Sequence, residues 1–219
     1  IEDHSIEASI SKILGSETLA YAVDEGVQIM GGAGFIEEYP MAGAYRDERI
    51  NRIFEGTNEI NRLIIGGYTL KKSILEELPI RSIMSRCKSD IWGNEVTVNK
   101  ELQKSCNVIE FCRTVMLFTL NELILKFGQD FKNEQWLLEP FADLVISLSV
   151  MDTCFKRYNQ LEPGTHKNEV REVLLLSIAD QLDIVKNKAK VIAKFAKRLV
   201  KDKRKQDVER RKSAGKSKD

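Results

Sequence analysis

Arg46-Asp47-Glu48-Arg49-Ile50-Asn51-Arg52-Ile53-Phe54-Glu55-Gly56-Thr57-Asn58-Glu59-Ile60 leads through Glu-Gly-Thr into a stretch of helical character. Thr57 is placed to cap that helix, and Ile60, Leu63, Ile64 and Tyr68 carry it towards Leu75. Upstream of the turn lie Ile50 to Phe54 and a short segment around Pro40 to Asp47. Before these, Gly31-Gly32-Ala33-Gly34 ends a helix from Ser5 to Met30, where Ile6, Ile10, Ile13, Leu14, Val23 and Val27 recur at helical spacing. Glycines at that point allow positive φ and close approach of another group to the backbone. Tyr39-Pro40 reads as loop geometry, and Arg46 with Asp47 as a structural ion pair.

Beyond Pro79 the chain changes character. Glycine becomes scarce, and three long amphipathic helices are expected. The first carries Ile109, Cys112, Met116, Leu120, Leu123 and Phe127, and the second Leu137, Phe141, Leu144, Leu148, Met151 and Phe155. Spacings of three and four give each one apolar face, as in an antiparallel bundle. Leu161-Glu162-Pro163-Gly164 is the turn to a third helix, from Asn168 through Val170, Leu174, Ile178, Ile184, Ile192, Phe195 and Leu199. No period-two pattern is present, so the fold reads as all-α, with boundaries at 1–79, 80–205 and a disordered basic tail over 206–219.

Composition narrows the function classes. The 219 residues are 42% hydrophobic and 31% charged, ordinary for a water-soluble helical protein. No apolar run approaches the roughly 20 residues that span a bilayer. The chain opens on Ile1 rather than methionine, so further residues are expected before it and no leader can be read. Cys87, Cys106, Cys112 and Cys154 form no CxxC pair and lie far from His4 and His166, so no metal site is expected and a reducing compartment fits. The net charge of +1 hides an asymmetry. From Lys186 onward there are fifteen Lys or Arg and four acidic residues, against 19 basic and 29 acidic in the rest. Such a tail suits an anionic surface, but apart from Phe195 it lacks the aromatics of a nucleic-acid binder, and none is expected as partner.

Taken together, Gln28-Ile29-Met30-Gly31-Gly32-Ala33-Gly34-Phe35, Tyr39-Pro40 and the Arg46–Ile60 stretch resemble the C-terminal signature of the acyl-CoA dehydrogenases. The preceding helix, with Ser16-Glu17 and Asp24-Glu25-Gly26-Val27-Gln28, is similar too, and the resemblance runs to about residue 75. It implies that Glu55 is the catalytic base, removing the α proton of an acyl-CoA thioester while the β hydride passes to FAD. A carboxylate in a dry pocket suits so weak a carbon acid. The backbone N–H of the same glutamate would polarise the thioester carbonyl, and Gly56 would leave room for the substrate. Gln28, Ile29, Met30, Gly31 and Gly32 are implied to touch the adenosine diphosphate half of FAD, usually a neighbouring subunit's. Thr57, Asn58 and Glu59 would approach the FAD on the other side.

Members of the family typically end soon after the helix containing Ile60 to Leu75. The extension resembles the added helical domain of the very-long-chain subgroup. That implies long acyl chains, β-oxidation, a homodimer and electron-transfer flavoprotein as acceptor. The implied location is the bacterial cytoplasm or mitochondrial matrix, with peripheral contact to the inner membrane through the basic C-terminal helix. The alternative is an interaction or assembly module acting through the added domain. The 219 residues by themselves are expected to be inactive, because the middle β domain of the family is not among them.

Overall fold

The computed structural model describes residues 4–80, 82–83 and 102–215, and among these only helices and their connections occur. The sequence folds as two compact units, Ile1–Leu75 and Glu76–Asp219.

In the first unit the organising element is α1 (Ser5–Met30), against which α2 (Gly32–Phe35), α3 (Pro40–Asn51) and α4 (Asn58–Ile74) all pack. Its inward stripe is Ser9, Ile10, Ile13, Ser16 and Val23, at the three- and four-residue spacing of a helix face. Ile13 and Ile65 are completely buried. Each such side chain stabilises the unit by about 1.5–3 kcal/mol relative to exposure. The α1 stripe mixes serine with isoleucine and valine, so part of this interface is polar by construction.

The glycine run ends α1 by a conformational break followed by a close approach. Gly31 has φ 58°, and a one-turn helix follows at once. A Cβ at Gly34 would lie 2.8 Å from the Val27 carbonyl oxygen and 2.9 Å from Met30 Cβ, so only glycine lets this turn fold back on α1. The sequence reading divides residues 40–54 into two short segments; they form instead one helix, α3, and a turn. Pro40 stands at its start, where the missing N–H costs nothing, and Tyr39 before it is extended, as a residue preceding proline prefers. Arg46 is paired with Glu37 (2.6 Å) rather than with Asp47. Consecutive residues of a helix diverge by about 100°, so neighbours 46 and 47 face apart.

The second unit contains α5 (Gln103–Phe127), a 3₁₀ segment (Gly128–Asn133), α6 (Gln135–Asn159) and α7 (Thr165–Gly215). α6 is its centre, burying Leu137, Leu138, Phe141, Leu144, Leu148 and Met151 against α5 and α7. Phe131 of the 3₁₀ segment meets Phe141 edge to face, with ring centroids 6.1 Å apart. Register is pinned by Arg113 donating to both carboxylate oxygens of Asp152 (2.9 and 3.0 Å) and by Lys188 on Asp143 (2.5 Å). Cys112 is buried on α5, and desolvation, opposed by Lys186, pushes its thiol up to about 11, which makes it an inert packing group.

The inward seam of α7 is Leu174, Ile178, Val185, Ile192 and Ala196. The sequence reading runs it through Ile184 and Phe195. Ile184 stays exposed, and Phe195 stacks on Trp136 at 6.3 Å. Neighbouring apolar positions satisfy helical spacing equally well, and packing against α6 decides between them. The backbone of α7 is helical to Gly215, through most of the stretch read from sequence as a disordered tail beginning at residue 206. Lys, Arg, Glu and Ala are good helix formers, and residues 206–214 contain neither Pro nor Gly. The Pro79 boundary is described, but residues 84–101 lie outside the described range.

Candidate active site

The Glu-Gly-Thr turn is built between the end of α3 and the start of α4. Ile53 and Phe54 donate to the Ile50 carbonyl (2.8 and 3.0 Å), and the Asn58 N–H reaches back to the Arg52 carbonyl (3.2 Å), closing a loop around residues 53–57. Within it Glu55 has φ 55° and Gly56 φ 81°. Two consecutive left-handed residues reverse the chain sharply, and the first of them carries a side chain. Thr57 then caps α4 as expected, its hydroxyl accepting from the Ile60 N–H (3.2 Å).

Polar side chains tie this turn to α1. Lys12 Nζ donates to the Gly56 carbonyl oxygen (2.8 Å) and to Asn58 Oδ1 (2.7 Å). Asn61 Nδ2 donates to the same Gly56 oxygen (2.8 Å) and to the Thr57 carbonyl (3.1 Å). Asn58 Nδ2 donates to Ser16 Oγ (2.9 Å) and Glu17 Oε1 (3.2 Å). Glu17 in turn accepts Arg62 in a two-pronged ion pair (2.8 and 3.1 Å). Asn58, Asn61 and Ser16 are buried, so the Ser16–Asn58 bond is made away from water, while the Lys12–Gly56 bond and the Arg62–Glu17 pair lie at the surface.

Glu55 itself is exposed, and among the described residues its carboxylate has neither hydrogen bond nor ion pair. Lys12, Asn58 and Asn61 beside the turn are engaged, while this carboxylate is held out. Glu59, one residue past the start of α4, is ionised more readily than an ordinary glutamate. The first cause is a hydrogen bond from its own backbone N–H, then the Thr57 hydroxyl, with Arg62 and Lys12 adding, while partial burial works the other way.

The other predicted group, Gln28 to Gly32, sits at the far end of α1. Gln28, Gly31 and Gly32 are exposed, Ile29 is 84% exposed, and Met30 is half-buried. A Cβ built on Gly31 or Gly32 would meet nothing within 4 Å, so this backbone has an open approach. Ser16 to Gln28 is twelve residues, or about 18 Å along a helix axis. The turn and the glycine loop therefore share one rigid element but address places well apart. Sequence reasoning picked out Ser16 and Glu17 only as part of a resemblance and missed Lys12, Asn61 and Arg62. The available signal was serine at two positions of the α1 stripe, which asks for polar partners on the opposing helix.

Residues 1–68 match the family model described as acyl-CoA dehydrogenase, C-terminal domain. Over this span the chain is similar to the acyl-CoA dehydrogenase family. It is a family of FAD-dependent oxidoreductases. The matched span holds the Glu-Gly-Thr turn, the glycine loop and all of the tethers from α1.

Similarity extends past residue 68. A probable acyl-CoA dehydrogenase of Bacillus subtilis is 40% identical over 159 residues, covering 72% of this chain and 27% of that protein. The very long-chain specific acyl-CoA dehydrogenase, mitochondrial, of Bos taurus is 29% identical over 197 residues, 79% of this chain and 30% of that protein. A crystal structure of an acyl-CoA dehydrogenase complexed with FAD from Bacillus anthracis superposes with TM-score 0.77 and 33% identity, over 84% of this chain and 32% of that one. The chain thus spans under a third of the length of these relatives. Among the described residues no helix is long and apolar enough to cross a membrane.

Proposed function

We propose that the chain is the C-terminal portion of an FAD-dependent acyl-CoA dehydrogenase that introduces an α,β double bond into an acyl-CoA. The observation that carries this reading is Glu55: a carboxylate without a partner among the described residues, displayed at φ 55° by a turn bonded to α1, within the span matched by the family model. In the reaction the α C–H bond breaks, its proton goes to Glu55, and the electron pair left on carbon becomes the double bond as hydride leaves the β carbon. FAD, when bound, supplies the acceptor for that hydride. Gly56 has no side chain to compete with substrate, and the N–H of Glu55 is the donor assigned to the thioester oxygen. Water must be excluded by residues outside this chain for the carboxylate to gain strength as a base.

The open backbone of Gly31 and Gly32, with Gln28, Ile29 and Met30, suits the adenosine diphosphate half of a dinucleotide, where bare peptide groups can approach phosphate closely. Thr57, Asn58 and Glu59 belong to the opposite approach. The side chain of Asn58 is already committed to α1 there, which leaves Thr57 and Glu59 as the more accessible pair. About 18 Å along α1 between the two groups supports two different FAD regions, and so the neighbouring subunit of a homodimer.

Residues 80–205 we assign to an added helical domain of the very-long-chain type, since similarity to the bovine protein covers 79% of this chain. That assignment carries a long acyl chain, β-oxidation, electron-transfer flavoprotein as acceptor, and a cytoplasmic or mitochondrial-matrix location. Peripheral membrane contact would rest on Lys186, Lys190, Lys194, Lys197 and Lys201. The apolar strip beside them, Val191, Ile192, Phe195 and Leu199, is smaller than its sequence suggests, because Ile192 is buried and Phe195 stacks on Trp136. Equal flotation with neutral and anionic vesicles would rule the contact out.

In the full-length holoenzyme, Glu55→Gln should keep FAD while acyl-CoA no longer bleaches it, a loss of about 10²–10⁴-fold. Wild-type turnover would sink the assignment. The second reading, an interaction or assembly module, is favoured by Phe111, Phe118 and Leu125, exposed at seven-residue intervals along α5. A full-length protein that purifies without flavin and never reacts with acyl-CoA would point there.

A further inference from the structure

We propose that Lys12 is a positioning residue for the catalytic glutamate, acting through the carbonyl of Gly56; this rests on the reading of Glu55 as the base. The backbone of Glu55 is the starting observation. At φ 55° the Cβ of an L-residue crowds a neighbouring carbonyl oxygen, and such a conformation persists only where the surroundings over-determine it. Gly56 beside it has φ 81° but no Cβ, so the strain is concentrated in the glutamate.

The bonds that over-determine it converge on one atom. The Gly56 carbonyl oxygen accepts Lys12 Nζ and Asn61 Nδ2, both at 2.8 Å. This fixes the plane of the Gly56–Thr57 peptide, and with it the torsions on either side. The two donors differ in kind. Asn61 lies in α4, five residues on, and moves with the turn it holds. Lys12 lies in α1, 44 residues away, and it alone of the two fixes the turn to another helix. Its second bond, to Asn58 Oδ1 at 2.7 Å, ties the same ammonium to the first residue of α4. Asn58 is locked in turn by Ser16 and Glu17, one helical turn further along α1. A charged donor makes the stronger type of bond, and Lys12 is only half-buried, so its role is local to this turn.

Without the ammonium, the Glu55–Gly56 pair can relax towards negative φ, which rotates the carboxylate away from where the turn now holds it. Displacement of a reacting group by about 1 Å can cost on the order of 10²-fold in rate. The prediction is thus that Lys12 sets kcat and leaves substrate affinity nearly unchanged.

The test uses the full-length holoenzyme with Lys12→Met, Lys12→Arg and Glu55→Gln, following flavin bleaching by acyl-CoA under single-turnover conditions across pH. Lys12→Met should bind FAD and acyl-CoA normally and bleach about 10²-fold more slowly, with the midpoint of its pH profile unmoved. Lys12→Arg, which keeps a cationic donor, should recover most of the rate. Four results overturn the proposal: Lys12→Met within twofold of wild type, no recovery in Lys12→Arg, a moved pH midpoint with an unchanged plateau, or Lys12→Met that fails to hold FAD. The third would mean that the charge tunes the base instead of placing it, and the fourth that Lys12 serves folding. Glu55→Gln separates the two levels. If it retains activity, the reading of Glu55 fails; if it is inactive while Lys12→Met is normal, only the inference about Lys12 fails.

Discussion

The two units are built on different principles. In the first, Ile10, Ile13, Ile65 and Leu70 share the interior with Ser9, Ser16, Asn58, Asn61, Thr69 and Glu48. In the second, Phe131, Leu137, Phe141, Leu144, Leu120, Leu123 and Met151 fill the centre, and polar exceptions are few. The outsides differ as well. Ile29 and Phe35 of the first unit are 84% and 79% exposed, and Tyr21, Ile50 and Phe54 lie open near them in sequence. A polar interior contributes less net stabilisation per buried group, because each hydrogen bond replaces one made to water. It does specify geometry sharply. The first unit gives up apolar core to hold one turn in a strained shape, while the second gains its order chiefly from apolar packing, with the Arg113–Asp152 and Lys188–Asp143 pairs setting register.

The largest consequence concerns the 219 residues expressed alone. The second unit should stay ordered, whereas the first, with its thin core and open apolar surface, should open far more readily. Hydrogen exchange in residues 137–151 should be slower than in residues 5–30 by about 10²-fold or more. No stoichiometric FAD and no acyl-CoA-dependent bleaching are expected. Equal protection of the two stretches, or a yellow product, would erase the contrast.

Single substitutions sharpen it at intermediate scale. Phe141→Ala should lower the stability of the second unit by about 3–5 kcal/mol, the usual cost of emptying a buried aromatic site. Asn58→Ala should lower that of the first by about 1–3 kcal/mol, because Lys12, Ser16 and Glu17 lose a partner. In thermal unfolding followed at Trp136, the Phe141 variant should shift the transition and the Asn58 variant should leave it in place. A shift of equal size in both would show that the units unfold as one.

Sequence made the helices legible because periodicity is local. Thr57 as a cap, the Ser5–Met30 helix and the Leu161–Gly164 turn all follow from neighbours within a few residues. What sequence left hidden is non-local. The Lys12–Gly56 bond spans 44 residues, and nothing near Lys12 distinguishes it from a solvated helix lysine. The left-handed backbone of Glu55 is hidden for a related reason, since glutamate has no preference for that region and only the tethers impose it. Local signals can also tie. Val185 is buried where Ile184 is exposed, and Arg46 takes Glu37 where Asp47 is adjacent in sequence. The candidate base was legible by resemblance, and the machinery that aims it was not.

The smallest effect expected is in acid, at Glu59. Its carboxyl is held below its ordinary value, first by its own backbone N–H, next by the Thr57 hydroxyl, and further by Arg62 and Lys12. The position near the start of α4 acts in the same sense, as an anion there faces the unpaired N–H groups of the first turn. A group whose folded pKa is depressed adds stability above its unfolded value, about 4.3 for glutamate. That contribution is lost as pH falls through the lower folded value. Glu59 is exposed, so solvent screening keeps the effect small. Melting of wild type and of Glu59→Gln, read from the helix signal of the first unit, should therefore differ by a constant amount from neutral pH down to about 5. Below about 4.3 the two should converge. The second unit serves as the internal control, since its melting should be the same in both proteins at every pH. A difference that already fades between pH 7 and 6, or that widens in acid, would show that Glu59 is not held ionised by the cap of α4, and that the polar anchoring of this turn ends at Asn58.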